Sequence, residues 1–133
     1  MDIRISPSLL KGDLSIPASK SCAHRAVICA ALADGISKLS GITMSKDIEA
    51  TISAMTALGA SFEIKDDAVI VKGINGSING TADIDCNESG STLRFLVPVV
   101  CALGVTATFK MAGRLAQRPM ELLATQLREH GCT

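Results

Sequence analysis

Lys20, Ser21 and Arg25 stand in the run Pro17-Ala18-Ser19-Lys20-Ser21-Cys22-Ala23-His24-Arg25, at the mouth of the apolar segment Ala26-Val27-Ile28-Cys29-Ala30-Ala31-Leu32-Ala33. If that segment is a helix, Lys20 lies in its first turn and Arg25 about one turn further on. A helix start carries partial positive charge and favours acids, so cations there run against the usual preference. A local rule broken in this way points to function. The chemistry it suggests is capture of an anionic ligand by backbone N–H groups, a lysine and an arginine converging on one point. Ser19 is placed to cap the helix, and Ser21 and Arg25 share one face. The plainer reading is a solvated basic end with an ordinary cap.

Two further segments have the same character. In Glu88-Ser89-Gly90-Ser91-Thr92-Leu93-Arg94, Gly90 lets backbone approach a ligand closely, and hydroxyls and N–H groups can cradle an anion. It is not a Walker loop, because no Gly-Lys-Ser/Thr follows. In Gly113-Arg114-Leu115-Ala116-Gln117-Arg118-Pro119, two arginines flank a loop before a helical pattern, and arginine pairs bidentately with carboxylate and phosphate. Surface ion pairing is the plainer use of either arginine. Three such loops suggest a site for one small, multiply anionic substrate or for two anionic substrates. Asp47, after Ser45, suits a helix start on dipole grounds and gains a second role only if the fold sets it beside Lys20. His24 could shuttle a proton or be structural. His130 and the cysteines read as structural.

The elements that must position these loops show an internal repeat. Arg25 and Gly35 match Arg94 and Gly104 at one offset; Gly41 and Gly59 match Gly113 and Gly131 at a slightly longer one. Each copy runs loop, apolar helix, strand, second helix. After Gly59 the first copy adds a hairpin, residues 60–64 and 68–71 around the polar Lys65-Asp66-Asp67 turn. The second copy stops at Cys132-Thr133, where a hairpin is due, so the chain reads as a fragment of a longer protein. Both first helices are apolar all round, which implies burial. The strand from Thr106 alternates polar and apolar, which implies one wet face. Helices inside and half-exposed strands outside follow. Pro98 complicates the second copy's helix; Phe95 to Val105 alone could be a buried strand, and the repeat favours helix. Residues 2–16 read as two short strands around Pro7-Ser8, and 73–80 as a turn-rich connector.

Composition closes off several classes. Thirteen basic and 13 acidic residues balance, so no nucleic-acid or membrane footprint is expected. Three Phe and no Trp or Tyr leave no base-stacking platform and an aliphatic core. The five cysteines show no zinc-type spacing, and four lie in or beside apolar segments where buried thiols are common. Free thiols without a signal peptide point to the cytoplasm. No Ser-His-Asp spacing, metal cluster or nucleotide fingerprint appears.

In order and spacing, the three basic segments resemble the 5-enolpyruvylshikimate-3-phosphate synthases. The resemblance covers essentially this whole chain and about the first third of a typical member. It implies α/β architecture: two domains of three βαβαββ units each, helices buried and sheets outside, an inside-out barrel. On that frame residues 1–18 pack with the C-terminal domain and 19–133 form part of the N-terminal domain, with units at about 12–72 and 80–133, the second truncated. The implied reaction moves the enolpyruvyl group of phosphoenolpyruvate to the 5-hydroxyl of shikimate 3-phosphate and releases phosphate, through a tetrahedral intermediate and without cofactor. Lys20 would touch both substrates, Ser21 and Arg25 would hold shikimate 3-phosphate, Gly90 and Arg118 would hold phosphoenolpyruvate, and Ser91 and Arg94 would also bind substrate. Asp47 would support Lys20, and Arg94 and Arg114 match further family arginines. Glu88 departs from a common Asn. The family's catalytic Asp and Glu belong to the C-terminal domain, so this chain alone is expected not to turn over. A UDP-N-acetylglucosamine enolpyruvyl transferase is the sister alternative, disfavoured by Lys20-Ser21 and Arg25; a non-catalytic anion-binding module is the other.

Overall fold

The computed structural model describes residues 3–66, 68–76, 78 and 80–133. Helix α1 spans Lys20–Leu32, β1 Ile36–Ser40, α2 Lys46–Ala57, β2 Ser61–Ile64, β3 Ala68–Lys72, β4 Thr81–Asp85, α3 Gly90–Leu103, β5 Thr106–Lys110 and α4 Glu121–Glu129. A single 3₁₀ turn, Leu115–Gln117, precedes α4.

Each of the first three helices starts at a serine. The Oγ of Ser19 accepts from Cys22 N–H at 3.3 Å, Ser45 from Ile48 N–H at 3.4 Å and Ser89 from Thr92 N–H at 3.2 Å. Each satisfies one of the N–H groups that a helix start leaves unpaired. Helix, strand and helix recur in the order α1-β1-α2 and α3-β5-α4. The six repeat glycines 35, 41, 59, 104, 113 and 131 all have positive φ, so the repeat marks places where the chain must turn through the left-handed region. The matched glycines are therefore architectural. Pro98 sits inside α3, which runs through it as a helix.

Strand β3 is central, antiparallel to β1 and β2, in register Ser37 with Val71 and Phe62 with Val71. β2 and β3 are the expected hairpin, closed by Lys65 N–H to the Ala68 carbonyl at 2.8 Å; Asp67 of that turn lies outside the described residues. β4 and β5 pair in parallel, joined through α3. Along β4 the side chains alternate, with Ala82 and Ile84 buried. The main core brings Ile28 and Ala31 of α1, Ala54 and Met55 of α2 and Leu93, Leu96 and Val100 of α3 together with Val71 and Ile84. The helices pack on one another and the strands on their outside, as read from the repeat.

Three expectations need correction. Residues 3–19 form no strand, and Ile3, Ile5, Leu9, Leu10, Leu14 and Ile16 are exposed; an apolar alternation makes a strand only where a partner supplies the other half of each hydrogen bond. Helix α1 is not covered all round, because Cys22, Arg25 and Cys29 are exposed along it. Of the cysteines, only Cys86 is buried. Burial, with Asp85 nearby, pushes its thiol up to about 11.

Candidate functional site

Lys20 is the first residue of α1 and Asp47 the second of α2. Their side chains meet at 2.6 Å, across 27 residues of sequence. The geometric condition for a second role of Asp47 is thus met: its carboxylate lies against the Lys20 ammonium, and the pair stays about half open to water (56% and 36% exposed). Arg25 Nη1 donates to the Ser21 carbonyl at 3.0 Å. The Arg25 guanidinium also lies 4.6 Å from the centroid of the Phe95 ring of α3, a cation–π contact that holds it across the helix pair. Phe95 was not among the residues singled out from sequence; its place directly after Arg94 is the only signal it gives.

The second and third loops meet at Gly90. A Cβ on Gly90 would stand 2.7 Å from Arg118 Nη1. The guanidinium therefore lies directly over the buried first residue of α3, where only glycine leaves it room. Arg94 Nη2 donates to the Pro119 carbonyl at 3.3 Å, which fixes the same loop from the other side. Ser91 is half-buried beside Gly90, and Arg114 is exposed ahead of the 3₁₀ turn. Glu88 turns toward the third loop: a side chain on Gly113 would run into its carboxylate, and Ala112 N–H donates to the adjacent Asn87 carbonyl at 2.8 Å.

One face of the molecule thus gathers Lys20, Ser21, Arg25, Gly90, Ser91, Arg94 and Arg118 from the three basic segments, with Asp47 from the start of α2. The starts of α1, α2 and α3 meet beneath it, since Lys20 reaches Asp47 and Thr92 Oγ1 lies 3.4 Å from the Asp47 carbonyl. Helix starts gathered under several cations favour an anion with more than one charged group. Below the face, His24 Nδ1, Thr51 Oγ1, Thr92 Oγ1 and Ser89 Oγ follow one another at 2.7, 2.8 and 2.7 Å. Burial pulls the His24 imidazole below its ordinary value; Lys20 and Arg25 act in the same direction and Asp47 against it.

The face is open. A cleft elsewhere, between α3, β5 and the C-terminal turn, is lined by Val100, Cys101, Phe109, His130 and Cys132 and includes none of the basic residues. Among the described residues no group of three or more His, Cys, Asp or Glu could hold a metal ion, and no helix is long and apolar enough to cross a membrane.

The family model of EPSP synthase (3-phosphoshikimate 1-carboxyvinyltransferase) matches residues 5–133. The chain belongs to the EPSP synthase family. A 3-phosphoshikimate 1-carboxyvinyltransferase from Clostridium beijerinckii is 50% identical over 127 residues, covering 90% of this chain and 29% of the relative. Another from Clostridioides difficile is 49% identical over 129 residues, covering 90% and 30%. Two solved structures of EPSP synthase from Acinetobacter baumannii superpose with TM-scores of 0.76 and 0.78 at 26% and 25% identity. They cover 90% and 92% of this chain and 28% of each of theirs. The chain therefore spans less than a third of the length of the EPSP synthases it matches. An open basic face rather than a closed pocket fits that share of a family fold.

Proposed function

We propose that this chain supplies the substrate-holding face of a 3-phosphoshikimate 1-carboxyvinyltransferase, which transfers the enolpyruvyl group of phosphoenolpyruvate to the 5-hydroxyl of shikimate 3-phosphate. The observation that carries the reading is the convergence of three loops on one face, with Lys20 on Asp47, Arg25 on Phe95 and Arg118 on Gly90. In it Lys20 lies between the substrates, Ser21 and Arg25 hold the shikimate phosphate, and Gly90, Ser91 and Arg118 hold phosphoenolpyruvate. Arg94 keeps the Arg118 loop in place through Pro119. Several cations at one face offset the repulsion between two anionic substrates and stabilise charge as the new bond forms. Asp47, held to Lys20, keeps the ammonium aimed rather than acting as an acid. The family's catalytic acids lie in a C-terminal domain, the partner this reading requires. The reading places the enzyme in the cytoplasm, in aromatic amino acid biosynthesis, as a glyphosate target whose Gly90 is compatible with binding that inhibitor.

Two results test it. Phosphate release from the isolated chain, given both substrates, should stay at background; steady turnover would overturn the division of labour. Gly90→Ala should leave folding within about 1 kcal/mol of the parent, because its Cβ crowds only the movable end of Arg118 and makes an ordinary contact with Leu115. It should weaken phosphoenolpyruvate binding in the presence of shikimate 3-phosphate about tenfold, because Arg118 must move. Unchanged affinity would remove Arg118 from the phosphoenolpyruvate site.

A further inference from the structure

Among the described residues only four polar side chains are buried: His24, Thr51, Ser89 and Thr92, each at most 2% exposed. All four belong to one connected chain that crosses from α1 through α2 to α3. Four buried polar side chains scattered over 133 residues by chance would not line up in this way, and each would need its own partner. His24 Nε2 has no partner at all.

We propose that these residues form a one-way hydrogen-bond relay, from His24 Nδ1–H to Thr51, Thr92 and Ser89, that positions the start of α3 against α1 and α2. This rests on the reading of the basic face as a substrate site. Its direction follows from counting protons. A neutral imidazole carries one N–H. On Nε2 it would be a buried donor with no acceptor, whereas a lone pair left there is the less costly orphan. The proton therefore belongs on Nδ1, and Nδ1 donates to Thr51 Oγ1. Thr51 then donates onward to Thr92 at 2.8 Å in preference to the Asp47 carbonyl at 3.2 Å. Thr92 donates to Ser89 at 2.7 Å in preference to the same carbonyl at 3.4 Å. Ser89 Oγ receives both the Thr92 hydroxyl and the Thr92 N–H, which fixes the cap of α3. The residue next along the chain, Gly90, is the one that Arg118 covers. His24 and its neighbours are thus positioning residues: they touch no substrate and set where the α3 N–H groups lie relative to Lys20 and Arg25.

Protonation breaks this arrangement, because Nε2–H would then be buried without an acceptor. The charged groups that face His24 are Lys20 and Arg25 from α1 and Asp47 from α2, while α3 presents the uncharged Phe95 ring edge-on at 6.4 Å. The folded chain is therefore the poorer proton acceptor. As pH drops through about 6.5 the unfolded chain binds more protons at this position, so stability decreases as the solution is acidified.

Nitrogen-15 NMR of the histidine-labelled chain tests the relay directly, with exposed His130 as the internal reference. The expected spectrum at pH 8 shows His24 protonated on Nδ1 and bare on Nε2. A His24 proton on Nε2 in the folded chain would overturn the relay whether or not substrate binds. In variants, Thr51→Val should speed amide exchange of Thr92 and Leu93 at least tenfold and weaken shikimate 3-phosphate binding, and Thr51→Ser should restore both. Exchange unchanged in Thr51→Val would also overturn it. A wild-type chain that shows the Nδ1–H tautomer but binds no shikimate 3-phosphate would instead count against the substrate reading alone.

Discussion

Gly73→Ala is expected to destabilise the chain by about 2–3 kcal/mol, read as a lower urea midpoint by circular dichroism. A Cβ at Gly73 would stand 2.1 Å from the Ala33 carbonyl oxygen and 2.7 Å from that of Ala30. Both are backbone atoms at the end of α1, so no side chain can swing aside. The segment that follows also closes that helix end: Ile74 N–H donates to the Ala31 carbonyl at 2.9 Å, Asn75 to Ala33 at 3.1 Å and Gly76 to Leu32 at 3.1 Å. These are carbonyls that a helix end otherwise leaves unpaired. Pushing the strand-to-strand loop away from α1 loosens all three. Gly104→Ala is the comparison. Its φ of 67° is strained for alanine but nothing crowds the site, so the cost is about 1–2 kcal/mol. A Gly73→Ala chain as stable as Gly104→Ala would show that the loop does not grip α1.

Lys20→Ala and Arg25→Ala are expected to do the reverse: leave stability alone and remove affinity. The Lys20–Asp47 pair is half open to water, and exposed pairs of this kind contribute about 0–1 kcal/mol. A phosphate held by Lys20 or Arg25 makes charge-assisted bonds worth about 1.5–3 kcal/mol each. Each substitution should therefore weaken shikimate 3-phosphate binding at least tenfold with an unfolding midpoint close to the parent's. Asp47→Asn should weaken it less, since the lysine keeps its charge and loses only its aim. Lys65→Ala, which breaks an exposed pair with Glu63, should change neither quantity. Equal loss of affinity and stability in Lys20→Ala would make the lysine a structural residue.

The parts of this molecule legible in sequence are those written in local code. Serine caps at 19, 45 and 89, and glycines at positive φ at 35 and 104, mark element ends whatever the tertiary surroundings. The three basic loops were legible for the same reason, because each cluster is contiguous. The rest depends on distant parts of the chain. Thr51 gives no signal in sequence, and Thr92 reads as a hydroxyl of the anion cradle, whereas it is buried and bonded to Thr51, 41 residues away. Phe95 reads as ordinary core until Arg25 is found over its ring. Asp47 could be an ordinary helix-start acid or a partner of Lys20, and only the packing of α1 on α2 decides between them. The strands expected over residues 2–16 fail, across the described residues 3–16, in the opposite sense: their pattern is local, but a strand exists only by pairing.

The account stands on the claim that the basic face is a site for an anionic sugar-like acid rather than a solvated surface. Calorimetric titration of shikimate 3-phosphate into the wild-type chain, beside the Lys20→Ala/Arg25→Ala double variant, tests it most directly. The account predicts saturable one-to-one binding to the wild type and loss of at least about a hundredfold in affinity in the double variant. Equal affinity in the two, or no binding to a folded wild-type chain, would contradict it.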